Sequence, residues 1–319
     1  MKTKSAILRS AVLALAAVLV SWAVVLWQSR PPPGPDRAAV RVTLELGAAG
    51  DDIVNRSGLP IRRSQAGEAL LYDASPGQLG TPVVPVIEHR GRRVALPPAG
   101  SLLFYDSLAG DEGVQEVNIQ FAVPADDRDT AEINGTGTGQ AASEGQAQRR
   151  HALALRRTVG QVQQALREQG WQRYIPLSSP RVAGRDSYDL PGSWQAGQVQ
   201  DSDTGYLPEP QDWLALRHTP TWIWYLDGAF LRLSYYRGDA AQGQAAALRA
   251  SVQGERAVLR AHAPAGAGGW EAARNAYAQA MPGLLAQRHA AESRARAAGV
   301  AVMQDWIDPP VAGIEVPRR

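Results

Sequence analysis

A long apolar run lies near the start of the chain. From Ser10 to Trp27 no residue is charged, and the run is dense in Ala, Val and Leu. As a helix it rises about 27 Å, close to the roughly 30 Å of a hydrocarbon core. It is apolar on every side, unlike the single apolar stripe of a soluble surface helix. Lys2, Lys4 and Arg9 lie at or before its start, which favours a cytoplasmic N-terminus. Trp22 and Trp27 sit toward the far end, and Trp27 suits the headgroup belt. Residues 1–9 are therefore expected in the cytoplasm. Residues 10–27 are expected to cross the lipid bilayer as a signal anchor, and residues 28–38 (QSRPPPGPDRA) to form an extended Pro-rich stalk. A cleaved signal peptide is the competing reading, with Ser21-Trp22-Ala23 as a small-x-small site. Val24–Trp27 carries the apolar run past that site, which favours the anchor.

Beyond the stalk the period changes to two. Val40–Leu46 (VRVTLEL) alternates apolar with polar, and so does Val114–Val123 (VQEVNIQFAV). Ala69–Tyr72, Pro82–Glu88, Arg93–Leu96 and Ser101–Tyr105 lie between them, separated by Gly and Pro. These read as strands of a mostly antiparallel sheet. Residues 124–147 are polar and Gly-rich and read as a flexible loop. Leu155, Val159, Val162 and Leu166 then recur as one helical stripe, capped by Gly170, and Trp171–Ile175 leaves as a strand. Residues 176–207 are too long for an ordinary connector and read as a disordered or structured functional loop. Pro208-Glu209-Pro210 opens a short helix, Gln211–Arg217.

The clearest hairpin is Thr221–Tyr236, turning at Asp227-Gly228. A two-residue loop pairs Leu226 with Ala229, Trp224 with Leu231 and Trp222 with Leu233, so this face belongs to the core. The other face is mixed: Tyr225 pairs with Phe230 and Ile223 with Arg232, and Ser234 and Tyr236 follow. Gly243–Val252 and Arg256–Ala261 extend the same sheet. Trp270–Ala298 reads as a helix broken or kinked at Pro282-Gly283 and capped by Gly299, and Val300–Ile307 as a last strand. The fold class is thus α+β: one transmembrane helix, then mostly antiparallel sheet packed against a few helices. Residues 39–175 and 208–319 read as two similar α/β-layered halves joined by the loop 176–207. Internal duplication and ordinary βαβ layering both produce that order.

Composition changes the picture in two ways. Lys occurs only at positions 2 and 4 while Arg, Ala, Gly and Pro abound, as in a GC-rich bacterial genome. The far side of the membrane is then the periplasm. The formal charge of +2 misleads, because the first thirty residues hold four basic and no acidic side chains. The remainder carries 29 Lys+Arg against 31 Asp+Glu, a net of −2, which lacks the footprint of a nucleic-acid binder. With no Cys, neither disulfides nor thiolate chemistry is available.

Catalytic signatures are sparse. There is no Gly-x-Ser-x-Gly elbow, His-Glu-x-x-His helix or Ser-x-x-Lys pair, and a Walker loop has no lysine to use. Gly135-Thr136-Gly137-Thr138-Gly139 lacks the strand–turn–helix setting of a phosphate loop. His89, His151, His218, His262 and His289 show no metal spacing. Asp201-Ser202-Asp203-Thr204-Gly205 imitates a calcium loop, but Tyr206 stands where Gly is required. No metal or cofactor is expected.

The candidate binding residues are aromatic. Tyr188, Trp194 and Tyr206 on the long loop, with Tyr225, Phe230, Arg232 and Tyr236 on the mixed hairpin face, can form an exposed recognition patch. The alternative is that the loop folds over that face and completes the core. The functional expectation is a membrane-tethered periplasmic protein of the bacterial inner membrane with a non-catalytic role toward an envelope protein partner, in one version an immunity-type protein capping a toxin. The alternatives are an envelope-polymer hydrolase using Asp186, Asp189, Asp201 or Asp203, and a structural scaffold of an envelope assembly.

Overall fold

The alternating runs pair as one sheet. A computed structural model describes residues 38–67, 69–107, 113–122, 140–188, 199–215, 219–236, 246–262 and 269–317. The expected anchor and residues 28–37 of the stalk lie outside them, as does Trp194. No helix among the described residues is long and apolar enough to cross a membrane.

The strands are β1 (Val40–Glu45), β2 (Arg62–Ala66), β3 (Ala69–Asp73), β4 (Val83–His89), β5 (Arg92–Ala95), β6 (Ala99–Ser107), β7 (Glu116–Phe121), β8 (Gln172–Arg173), β9 (Val199–Ser202), β10 (Thr219–Leu226), β11 (Ala229–Tyr236) and β12 (Ala247–Gly254). The main path runs β1-β4-β6-β7-β12-β11-β10-β8; β3 joins β6 and carries β2, β5 joins β4, and β9 joins β10. Pairs β1/β4 and β9/β10 are parallel, and the other pairs are antiparallel. The mixed sheet curls into a half-barrel. Its centre is the β7/β12 pair, where Glu116–Gln120 of the first half meets Arg249–Gln253 of the second.

The β10/β11 hairpin has the expected register, including Trp222 opposite Leu233 and Ile223 opposite Arg232. Asp227 and Gly228 both have positive φ, 46° and 94°, as a type I′ turn requires. Trp222, Trp224, Leu231 and Leu233 are buried on one face. They share an apolar cluster with Leu155, Val159, Val162 and Leu166 of helix α3 (Gln140–Glu168). The shorter helices before it are α1 (Gly50–Ser57) and α2 (Pro76–Leu79). On the opposite face, Tyr225 and Phe230 pack with Leu259 of α6 (Glu255–Arg260) and with Ala273, Tyr277 and Met281 of α7 (Trp270–Ala297).

Several expectations need correction. Helix α3 begins at Gln140, inside the stretch read as loop, because its Ala, Gln and Glu residues favour helix. Residues 124–139 lie outside the described ones. Arg256–Ala261 is not a strand. Glu255 opens a helical turn there, with Leu259 its buried residue. Val300–Ile307 is not a strand either; Val300 and Val302 pack on Val182 and Ala295 instead. Of Trp171–Ile175, Gln172 and Arg173 alone pair as strand. Helix α7 is assigned as continuous through Pro282. The long stretch 176–207 supplies α4 (Gly184–Tyr188) and β9, and α5 (Pro210–Ala215) follows it.

Three glycine and core substitutions test this packing. At Gly228 a Cβ would meet Glu255 Cδ at 2.9 Å, and the left-handed backbone adds strain. Gly228→Ala should cost about 1–3 kcal/mol. Leu166→Ala should cost about 2–5 kcal/mol by opening a cavity. Gly160 lies within α3, where a Cβ meets Leu207 at an ordinary 3.5 Å, so Gly160→Ala should stabilise by about 0.5–1 kcal/mol. Urea unfolding midpoints read all three.

Candidate functional site

Strand alternation leaves a second face on the central sheet. Opposite the core, β6, β7, β12 and β11 present rows of paired side chains. One row runs Leu103, Asn118, Ser251, Arg232 and Ile223. The next runs Ser101, Gln120, Arg249, Ser234 and Thr221, and reaches Asp201 on β9. A third sets Tyr105, Glu116 and Gln253 beside Phe230 and Tyr225. Tyr225 and Phe230 end under α7, whereas Arg232 and Tyr236 stay exposed.

The chemistry of the first two rows is amide, hydroxyl and guanidinium, and Ile223, Thr221 and Ser234 are buried at their β10/β11 end. Asn118 donates to Glu116 at 2.9 Å. Burial pushes the Tyr105 hydroxyl up, with Glu116 adding to it and a hydrogen bond with Asn118 opposing it. The Arg249 guanidinium lies over the Tyr236 ring at 5.2 Å. Among the described residues, two buried polar atoms here have no hydrogen-bond partner: Arg249 Nε and Ser251 Oγ. Such orphans are rare, and each calls for a physical reason.

Beside this face, buried charges pin α7 to the sheet edge. Arg288 is 2 % exposed. It donates to the carbonyls of Ile175, Pro176 and Ser179 and forms a bidentate pair with Asp308 at 2.6 and 2.9 Å. The Trp306 indole donates to the same carboxylate. One turn along, Glu292 is 0 % exposed and takes Arg181 at 2.6 and 3.0 Å. Arg173 pairs with Asp203 at 3.3 Å and donates to the Val182 carbonyl. The Asp203 carboxylate also accepts from the backbone N–H groups of Gly184 and Gly205. Ser179 Oγ donates to Asp201.

The six described candidate residues do not form one surface. Tyr188 and Tyr206 touch each other on the α3 side of the sheet, where Tyr188 is buried in the main core. Tyr225 and Phe230 belong to the second cluster, with residues of α6 and α7 and with Leu177 from the start of the long loop. Of the described candidates, Arg232 and Tyr236 lie on the open face. Asp186 is exposed on α4, Asp189 lies outside the described residues, and Asp201 and Asp203 hold separate partners. Arg288 and Glu292 escaped the sequence reading because each is an ordinary charge in a polar helix. Their signal is spacing: they stand in register with buried Met281 and Ala295.

Two carboxyls acquire opposite pH dependences. Burial pushes Glu292 up, but the Arg181 hydrogen bonds and charge, aided by Arg288, outweigh it and hold the carboxyl below its ordinary 4.5. Its stabilisation is complete above that value and is lost as pH falls through the lower folded one. Burial raises Asp201 above its ordinary 3.8, against the lowering by Ser179, Arg232 and Arg173. Here the folded state binds the proton more tightly, so this contribution falls as pH rises through the folded value.

Arg288→Ala should cost about 3–5 kcal/mol because it strands the Asp308 carboxylate, while the double variant Arg288→Met/Asp308→Leu should recover most of that loss. Glu292→Gln should flatten the fall in stability below about pH 4.5. Asp201→Asn keeps an acceptor for Ser179 and should stabilise the protein at pH 7. Denaturant titrations between pH 3 and 8 read these effects. No family model matches the chain, and neither the curated proteins nor the solved structures yield a match to it.

Proposed function

We propose that this is a membrane-tethered protein of the bacterial envelope whose periplasmic domain binds a protein partner without catalysis. The observation that carries the reading is the half-buried polar face of β6, β7, β12 and β11. It presents exposed Arg232 and Tyr236 and leaves polar atoms of Arg249 and Ser251 without hydrogen-bond partners among the described residues. The reverse of the same strands is committed to the core, so the face stands on a rigid support. The anchor reading supports the location: an uncharged run over 10–27 follows Lys2, Lys4 and Arg9 and precedes a Pro-rich stalk. A net of −2 beyond the anchor does not suit nucleic acid. An immunity-type protein that caps a toxin is one version, by analogy of layout alone.

A hydrolase is the second reading, favoured by the raised Asp201 carboxyl. The adjacent carboxylate weighs against it. Asp203 is engaged by Arg173 and two backbone N–H groups, and so serves as a brace.

Topology and recognition are tested separately. In spheroplasts, added protease should digest the domain of the full-length protein, while in inverted vesicles it should be protected; the reverse pattern would contradict the assigned orientation. In solubilised envelope, the wild-type chain should retain a stoichiometric partner that Arg232→Glu and Tyr236→Ala lose and that Arg62→Gln on β2 keeps. Equal retention by all four proteins would move recognition away from this face.

A further inference from the structure

We propose that Arg232, Arg249 and Ser251 form an oxyanion-binding site that takes the carboxylates of an acidic, extended segment of a partner protein. The inference rests on the binding role proposed above and adds the chemistry of what is bound.

Three observations support it. First, pairing places Arg232 opposite Ser251 and Arg249 opposite Ser234, so the two guanidinium side chains leave the same face from diagonal neighbours. Second, among the described residues neither arginine has a carboxylate at ion-pair distance, although Arg173, Arg181 and Arg288 nearby each have one. Third, Arg249 Nε and Ser251 Oγ are shut off from solvent and have no hydrogen-bond partner among the described residues. Once the groups covering Arg249 Nε and Ser251 Oγ are drawn aside, a carboxylate laid between the arginines accepts from both and gives the serine hydroxyl an acceptor, which supplies the orphans with partners.

The surroundings favour a peptide over a lipid surface. Asn118, Gln120 and Gln253 flank the arginines with amides suited to backbone N–H and C=O groups. Attraction to an anionic bilayer calls for a cluster of about 4–8 basic residues. Here one of the two arginines is exposed, Glu116 stands in the adjoining row, and the chain beyond the anchor is net acidic. Asp201 at the end of the Arg249 row is tied to Ser179, and its nearest cations include Arg232. A ligand carboxylate would compete with it for that arginine.

The test uses the full-length protein in detergent micelles and a fluorescent hexaglutamate peptide, with hexaglutamine and inorganic phosphate as comparison ligands. Anisotropy should show saturable hexaglutamate binding that weakens as salt is raised, and hexaglutamine should not bind. Arg232→Gln, at an exposed position that does not threaten folding, and Arg249→Gln should each weaken binding about tenfold or more. Ser251→Ala should weaken it about threefold, and Arg62→Gln should leave it unchanged. No saturable binding by the wild type, or equal binding by all variants with unchanged thermal melting, would overturn the assignment. Phosphate that displaces the peptide at equal charge concentration would overturn the acidic-segment assignment in favour of a general anion site. If hexaglutamate fails but the envelope partner is still lost in Arg232→Glu, the binding role stands and the acidic chemistry alone falls.

Discussion

The placement of α7 depends on Arg288. Its guanidinium has almost no contact with water, so three carbonyls and the Asp308 carboxylate must satisfy it. An ion pair of this kind adds little net stability over an apolar substitute, but breaking it is expensive, and so it specifies one arrangement. It joins the loop after β8, the last helix and the tail after that helix. Arg181 with Glu292 repeats the tie one turn further on. Together they set α7 over Tyr225, Phe230 and their neighbours. Arg232, farther along the same face, is left exposed, with half-buried Arg249 and Ser251 beside it.

That division gives the face its character. A sheet covered by helices on both sides would carry apolar residues on both faces of each strand. Here β10 and β11 do so at their hairpin end, where Ile223 and Phe230 are buried. β7 and β12 do not: behind Val117, Ile119, Ala250 and Val252 stand Asn118, Gln120, Arg249 and Ser251. The change from apolar to polar along one face marks where the second layer stops.

Much of this was legible in residue order. The Asp227-Gly228 turn and strict alternation on both sides fixed the hairpin register, because a one-residue slip would have put Trp222 and Trp224 outside. The stripe Leu155, Val159, Val162 and Leu166 marked α3 for the same kind of reason. Three things were not legible. The start of α3 has good helix formers but no apolar stripe, so composition read it as loop. Residues 300–307 have a strand-like pattern, yet Val300 and Val302 pack on Val182 and Ala295 and pair with no strand. The candidate patch depended on which side of the sheet each loop aromatic would reach. Local pattern does not encode that choice, and Tyr188 went to the main core while Tyr225 and Phe230 went to the other side.

The central claim is that the face bearing Arg232 and Arg249 meets a partner in the envelope. A photocrosslinking scan in living cells tests it most directly, with a photoreactive residue placed singly at Tyr105, Asn118, Gln120, Arg232 and Tyr236, and at Arg62, Gln65 and Ile307 elsewhere on the surface. The account predicts one shared adduct from the first group and none from the second. Adducts from the second group alone, or from neither, would contradict it.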